Sequence, residues 1–411
     1  MLVFGRLLMR GEMVHWKQNL AVVWVSQFLS IMGFFFAIPF APYYIQELGV
    51  RDPVKVKLWV SLFGAAAPFS LAIFSPMWGA LADRYGRRVM LLRANFGAAV
   101  VLALMATVES VEALIVLRLL QGLLAGTVTA AQTMVTSTTP ENRSGTALGA
   151  LSAAVYSGTM VGTFLGGLFA EYVGYRYSFL GSSFLLLLAG LLIVVGTRED
   201  FVPPPRQEQP GSSSAVAVGI DQAVPLLVLT ATMSFCRQYD NSLFPLLVQD
   251  IHGSIQGAAF WTGSISAVAG LAGFLAGIVF GRLADRMDPS RLAKASSLGA
   301  ALFLVPHGLL QGFLPLFPTR FAMVFCAGGL EPVFQVWLAK VTSVERRGSA
   351  FGWAATARSF GWFAAPLVSG LVASGFGLRA IYFVGGAQFV LLVFLIGYVG
   401  RRLVNGPVGN G

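Results

Sequence analysis

Twelve apolar stretches follow one another along the chain, each about 20 residues long, the length an α-helix needs to cross a bilayer core about 30 Å thick. They cover residues 20–44, 58–80, 91–108, 111–134, 146–170, 176–196, 223–248, 258–281, 292–313, 316–340, 349–374 and 378–400. Strict two-residue alternation is missing from the Phe-rich and Leu-rich runs, which argues against a β-barrel. The expectation is an all-α membrane protein of twelve transmembrane helices.

Composition closes off the soluble alternatives. Of the 411 residues, 56% are hydrophobic and 11% charged, against about 25% charged in a soluble domain. The net charge of +10 does not point to nucleic acid, because the basic residues sit in short loops between apolar runs. With both termini inside, 19 Lys and Arg fall in cytoplasmic segments. Six lie outside (Arg51, Lys55, Lys57, Arg176, Arg320 and Arg379), and Arg118, Arg237 and Arg358 fall within helices. That bias fits the positive-inside rule. Cys236 and Cys326 both lie in apolar runs, and His15, His252 and His307 lack metal-ligand spacing, so neither a disulfide framework nor a metal is expected. No phosphate-loop GK[ST] occurs. Gly375, Gly377 and Ala380 match G-x-G-x-x-A after an apolar helix, which reads as a turn. No cofactor is expected. Arg6 interrupts the first apolar run, so the N-terminus reads as an anchor rather than a cleaved signal.

The chain repeats. Gly79 to Arg84 recurs as Gly281 to Arg286 at a shift of 202, which also takes Arg118 to Arg320 and Gly126 to Gly328. A shift of 203 takes Gly145 to Gly348, Gly149 to Gly352, Gly158 to Gly361, Gly167 to Gly370 and Arg176 to Arg379. Between the copies, residues 197–222 carry Pro203, Pro204, Pro205 and Pro210, then Ser212 to Ser214, and read as a flexible linker. The expected division is therefore 1–196, a six-helix bundle; 197–222, a cytoplasmic linker; and 223–411, a second bundle related to the first by a pseudo-two-fold axis.

The sharpest motif is the short loop Gly79-x-Leu81-Ala82-Asp83-Arg84-Tyr85-Gly86-Arg87-Arg88. Gly79 is expected to let two helices approach closely, and Gly86 to permit a tight turn. The degenerate copy around Asp285 and Arg286 continues as Met287-Asp288-Pro289-Ser290 and lacks the glycine. This loop closely resembles the signature loop of the major facilitator superfamily. Arg118-Leu119-Leu120-Gln121-Gly122 looks like the family's R-x-x-Q-G helix. Gly158-x-x-x-Gly162-Thr163-x-x-Gly166-Gly167 resembles the family's antiporter signature, with Thr163 where the family has proline. Trp16 to Leu20, Pro39 to Tyr44 and Arg143-Ser144-Gly145 add likeness to bacterial twelve-helix drug:proton antiporters.

The resemblance implies the major facilitator fold, two pseudo-symmetric six-helix bundles working by alternating access. It implies a cytoplasmic latch at Gly79, Asp83, Arg84, Gly86, Arg87, Arg88, Asp285 and Arg286, and a proton-handling or bundle-holding role for Arg118. It implies a multi-pass protein of the bacterial inner membrane rather than an enzyme. Its partners would be protons, a small-molecule substrate and the lipid bilayer, and it would act as a monomer.

Charges at membrane depth are rare and usually functional. The first six stretches hold no acid near their middle. The seventh has Arg237 and Asp240, three apart and so on one helix face; the tenth has Glu331 beside Pro332; the eleventh has Arg358. These four, with Arg118, are the candidates for proton coupling or substrate charge, or else form structural ion pairs. Phe34, Phe35, Phe36, Trp337, Trp353 and Trp362 are candidates to wall an amphipathic cavity. Three readings stand: a proton-coupled exporter of small amphipathic compounds; a transporter of a polar or anionic metabolite, favoured by Arg237 and Arg358; and a non-transporting membrane sensor.

Overall fold

The computed structural model describes residues 2–140, 143–197, 199, 224–342 and 347–405. Fifteen α-helices occur among them: α1 (Leu2–Ala37), α2 (Ala41–Glu47), α3 (Pro53–Tyr85), α4 (Arg87–Met105), α5 (Val111–Leu124), α6 (Thr127–Thr138), α7 (Ser144–Tyr172), α8 (Tyr175–Gly196), α9 (Val224–Gln238), α10 (Phe244–His252), α11 (Ala258–Arg286), α12 (Pro289–Leu304), α13 (Phe313–Val341), α14 (Arg347–Phe376) and α15 (Ala380–Asn405). No strand occurs among the described residues. Ten spans are long and apolar enough to cross a membrane, with α1–α2 and α5–α6 each running as one. The two remaining spans are α9–α10 and α12 with its 3₁₀ turn Val305–Gly308. The proposed linker, apart from Thr197 and Glu199, lies outside the described residues.

Each interruption has a local cause. Between α9 and α10 the residues Asp240, Asn241 and Ser242 favour turns, and Pro245 cannot continue an incoming helix. The Asp240 carbonyl accepts from the Leu243 and Phe244 amides at 3.1 and 2.9 Å, which closes the turn. Between α1 and α2, Pro39 and Pro42 draw the chain into a 3₁₀ turn. Pro42 and Pro245 stand 203 residues apart, so the break itself belongs to the repeat. Between α5 and α6, Gly126 takes φ +122°. Trp78 Nε1 donates to the Leu123 carbonyl at 2.7 Å, and Arg93, lying over the Trp78 ring, donates to the Ala125 carbonyl at 3.0 Å. Both satisfy carbonyls that the end of α5 leaves open.

The chain forms two compact units. One comprises Met1–Tyr44, Ile73–Gln207 and Ala259–Ala267. In it α1 packs on α7 and α8, and α4 packs on α5 and α8. The other comprises Ile45–Ala72, Glu208–Ala258 and Val268–Gly411. In it α9 packs on α14 and α15, and α12 packs on α13 and α15. The two packing schemes correspond helix for helix under the sequence repeat.

The correspondence reaches single contacts. A Cβ at Gly158 would lie 2.7 Å from the Phe28 carbonyl oxygen, and one at Gly361 would lie 2.5 Å from that of Ala231; both members of the pair are shifted by 203. Gly167 closes on Gly263 within the first unit, and Gly370 closes on Ser61 within the second. Gln46 and Gln249, also 203 apart, exchange two amide hydrogen bonds of 2.8 and 3.0 Å within the second unit.

Candidate functional site

The loop between α3 and α4 folds as its glycine demands. Gly86 takes φ +89°, a conformation that costs a residue with a Cβ, and α4 starts at the next residue. The Arg87 and Arg88 amides donate to the two carboxylate oxygens of Glu199 at 3.0 and 2.7 Å. A carboxylate at a helix N-terminus meets open N–H groups and the positive end of the helix dipole. Arg88 also donates to the Val194 carbonyl, and Arg84 lies over the Tyr85 ring. Glu199 was not legible as a site residue, because it sits at the edge of a polar, proline-rich segment. The side chain of Asp83 lies outside the described residues. At Gly79 the expectation is corrected: a Cβ there would meet nothing within 4 Å among the described residues, so no helix closes on it.

The second copy turns differently. Met287 is extended at the end of α11, the Asp288 side chain accepts from the Arg291 amide at 2.9 Å, and Pro289 opens α12. A side-chain cap and an N-terminal proline replace the glycine turn. Asp285 and Arg286 stand exposed in the last turn of α11.

The glycines of α7 have two jobs. Gly158, Gly162 and Gly166 face the α1 backbone: a Cβ at Gly162 would lie 2.5 Å from the Met32 carbonyl oxygen, and one at Gly166 would strike that of Phe36. Gly167 turns toward Ala259 and Gly263. Thr163, in the proline's place, donates its hydroxyl to the Thr159 carbonyl at 2.9 Å, a bond that bends a helix gently where proline would kink it. Replacing Gly162 with Leu is expected to force α1 and α7 apart. We expect a large fall in folded yield, read by size-exclusion chromatography in detergent, while Gly79→Leu leaves the yield unchanged.

On α5, Arg118 donates to Gln121 one turn on, and Gln121 is buried. The R-x-x-Q spacing thus ties its two ends together on one helix face.

The candidate charges in the second unit fall into two clusters. In the first, the Glu331 carboxylate stands between two guanidinium groups: Arg237 Nη1 lies 2.5 Å from Oε2, and Arg358 Nη1 pairs with Oε1. The three side chains keep 28, 25 and 26% of their surface for Arg237, Glu331 and Arg358. Pro332 has no amide to give the Gly328 carbonyl, which loosens α13 beside the acid. In the second cluster, Asp240 pairs with Arg320, and both are buried. Arg320 lies over the Phe244 ring at 4.1 Å.

Two expectations change here. Arg237 and Asp240 do not act as one helix face, because α9 ends between them at Gln238; each takes a partner on α13 instead. Arg320 is not an outer-loop charge but a buried ion-pair partner in the second turn of α13. The sequence held a signal for it: Arg320 is the repeat mate of Arg118, which was read as lying within a helix. Among the aromatic candidates, Phe36 packs on Phe169 and Trp337 on Phe334, while Trp353 is exposed.

The family model of the major facilitator superfamily matches residues 23–317 and 226–408. The chain belongs to the major facilitator superfamily. Relatives within it include the multidrug resistance protein MdtG of Rahnella sp. (strain Y9602), 32% identical over 388 residues, covering 94% of this chain and 93% of the relative. MdtG of Klebsiella pneumoniae (strain 342) is 32% identical and covers 90% of each chain. Among solved structures, a bacterial homologue of the human lysosomal transporter Spinster, inward-facing and occupied, superposes with a TM-score of 0.76 at 15% identity, covering 96% of this chain and 98% of the other. The nucleoside transporter NupG gives 0.74 at 14% identity, covering 93% and 99%. At such identity these structures share the fold. Superfamily membership makes this a multi-pass membrane transporter of small molecules, and relatives matched over nearly their full length are multidrug resistance proteins.

Proposed function

We propose that the protein is a proton-coupled exporter of small amphipathic compounds, working by alternating access between bundles 1–196 and 223–411 joined by the linker 197–222. It sits in the bacterial inner membrane with both termini cytoplasmic, acts as a monomer and carries no catalytic chemistry. The observation that carries the reading is Glu331, the one acid within an apolar span that is both flanked by arginines and reachable from its surroundings among the described residues. Beside two guanidinium groups a carboxylate keeps its charge, and drawn away from them into an apolar setting it takes up a proton. Helix movements that change those two distances would load and unload the proton. The multidrug relatives support export, as does the glycine face of α7, which keeps α1 and α7 at backbone contact.

The test is ethidium transport into everted membrane vesicles. An imposed pH gradient, acid inside, is expected to drive uptake that collapses when a protonophore is added. Uptake insensitive to the gradient would replace proton coupling with facilitated diffusion.

A second reading rests on the same cluster. Two arginines against one carboxylate leave one positive charge in excess. Guanidinium groups bind carboxylates and phosphates in paired geometry, so an anionic cargo fits there. Competition of ethidium uptake by an aliphatic carboxylate would favour it.

A further inference from the structure

The reading above does not use the buried Asp240–Arg320 pair. Two further residues, His307 and Tyr382, lie close enough to interact electrostatically with both members of the pair. Asp240 comes from the break after α9, Arg320 from the second turn of α13, His307 from the 3₁₀ turn after α12, and Tyr382 from the first turn of α15. All four residues are buried, His307 and Tyr382 completely. The His307 ring stacks on that of Tyr382 at 5.7 Å and 17°. His307 Nδ1 lies 3.1 Å from the Leu304 carbonyl oxygen. A carbonyl only accepts, so Nδ1 carries the hydrogen and Nε2 presents its lone pair. That Nε2 finds no partner among the described residues, and neither does the Tyr382 hydroxyl or Arg320 Nε. Buried polar groups without protein partners are ordinarily satisfied by internal water. The other ionisable groups close by are Tyr239, next to Asp240 in sequence, and, near Tyr382, Arg379 and Asp250, which pair with each other at 2.9 Å.

We propose that Asp240, Arg320, His307 and Tyr382 enclose a buried water site through which Asp240 exchanges its proton, with His307 Nε2 holding the water in line. This rests on the proton-coupled reading and extends it. The step is a plain proton transfer. A proton from the solvent reaches the Asp240 carboxylate through the site water, which gives up one proton, receives another and so ends unchanged. Asp240 becomes neutral and Arg320 loses its counter-charge. His307 accepts a hydrogen bond throughout and gains no net proton. The break after α9 places Arg237 of the Glu331 cluster and Asp240 of this one on either side of a single hinge. On α13, Arg320 and Glu331 are 11 residues apart, about 16 Å along the helix. A change at the hinge therefore acts on both ion pairs together.

The test has two arms. In the first, the protein is labelled with ¹⁵N-histidine and reconstituted in lipid nanodiscs, and His307 is assigned by its loss in His307→Gln. Its Nε2 resonance is expected at the position of a hydrogen-bonded acceptor, with an exchange cross-peak to water. An Nε2 without a hydrogen bond, or without water contact, overturns the proposal, and this arm needs no substrate. In the second, ethidium efflux from proteoliposomes is followed with and without a pH gradient. His307→Phe keeps the stacking on Tyr382 but removes the acceptor. It is expected to fall to the no-gradient rate while downhill efflux stays at the wild-type value, and His307→Gln, which restores an acceptor, is expected to recover part of the loss. Gradient-driven efflux at the wild-type rate in His307→Phe overturns the proposal. Failure of the wild type to respond to the gradient overturns proton coupling instead, while the ¹⁵N arm still decides whether the site holds water.

Discussion

Replacing Glu331 by Gln is expected to abolish accumulation driven by a pH gradient and to leave downhill flux close to the wild-type rate. Gln is nearly the same shape and its carbonyl still accepts from one arginine, but it cannot lose a proton. The variant leaves Arg237 and Arg358 facing a neutral group. Losing charge-assisted hydrogen bonds costs roughly 2 kcal/mol, less here because all three side chains keep about a quarter of their surface. The protein should therefore remain folded, and thermal melting in detergent checks this. Two companions sharpen the result. Arg358→Gln leaves the acid with one arginine, which weakens the hold on its charge, so gradient-driven uptake should survive with a pH optimum moved upward. The double variant Arg237→Gln with Arg358→Gln should behave like a carboxyl that stays protonated, and so like Glu331→Gln. If Glu331→Gln still accumulates ethidium at the wild-type rate, the proton is carried elsewhere and this cluster is a structural brace.

Much of this architecture is legible in the sequence because the bilayer imposes a coarse and repetitive constraint. A 20-residue apolar run has few alternatives, and a shift of 202 to 203 residues shows in Gly158 and Gly361, whose backbone approaches correspond. Gly86 was readable because only a glycine takes φ +89° without strain. The ion pairs were not readable in the same way. Glu331 stands 94 residues from Arg237, and Asp240 stands 80 from Arg320, and nothing local fixes which acid meets which base. Arg320 was misplaced because it falls near the edge of an apolar run, where depth cannot be judged by counting. The interruption after Gln238 escaped notice because hydropathy sums side chains and is blind to backbone hydrogen bonds. Yet Pro245 and its repeat mate Pro42 stood in plain view, and two prolines at matching places in the two halves point to broken helices and hence to a site.

The largest loss of stability should come from the Asp240–Arg320 pair. Both residues are buried, so removing one strands the other without a counter-charge. Breaking a buried pair in this way costs about 3–5 kcal/mol, and Asp240→Ala or Arg320→Ala should lower the melting temperature in detergent more than any change at the Glu331 cluster. Stability and function separate in the double variant. With Asp240→Ala and Arg320→Met combined, no buried charge remains, and the Met side chain still lies against the Phe244 ring where the guanidinium lay. Replacing a whole buried pair with apolar groups of similar volume is often neutral for stability. The double variant should therefore melt near the wild-type temperature, several degrees above either single variant. If the pair only braces α10 against α13, transport should return together with stability. If Asp240 handles the proton, stability returns and gradient-driven transport does not. A double variant that both melts and transports like wild type would remove Asp240 from the coupling path and leave Glu331 as its only carboxylate.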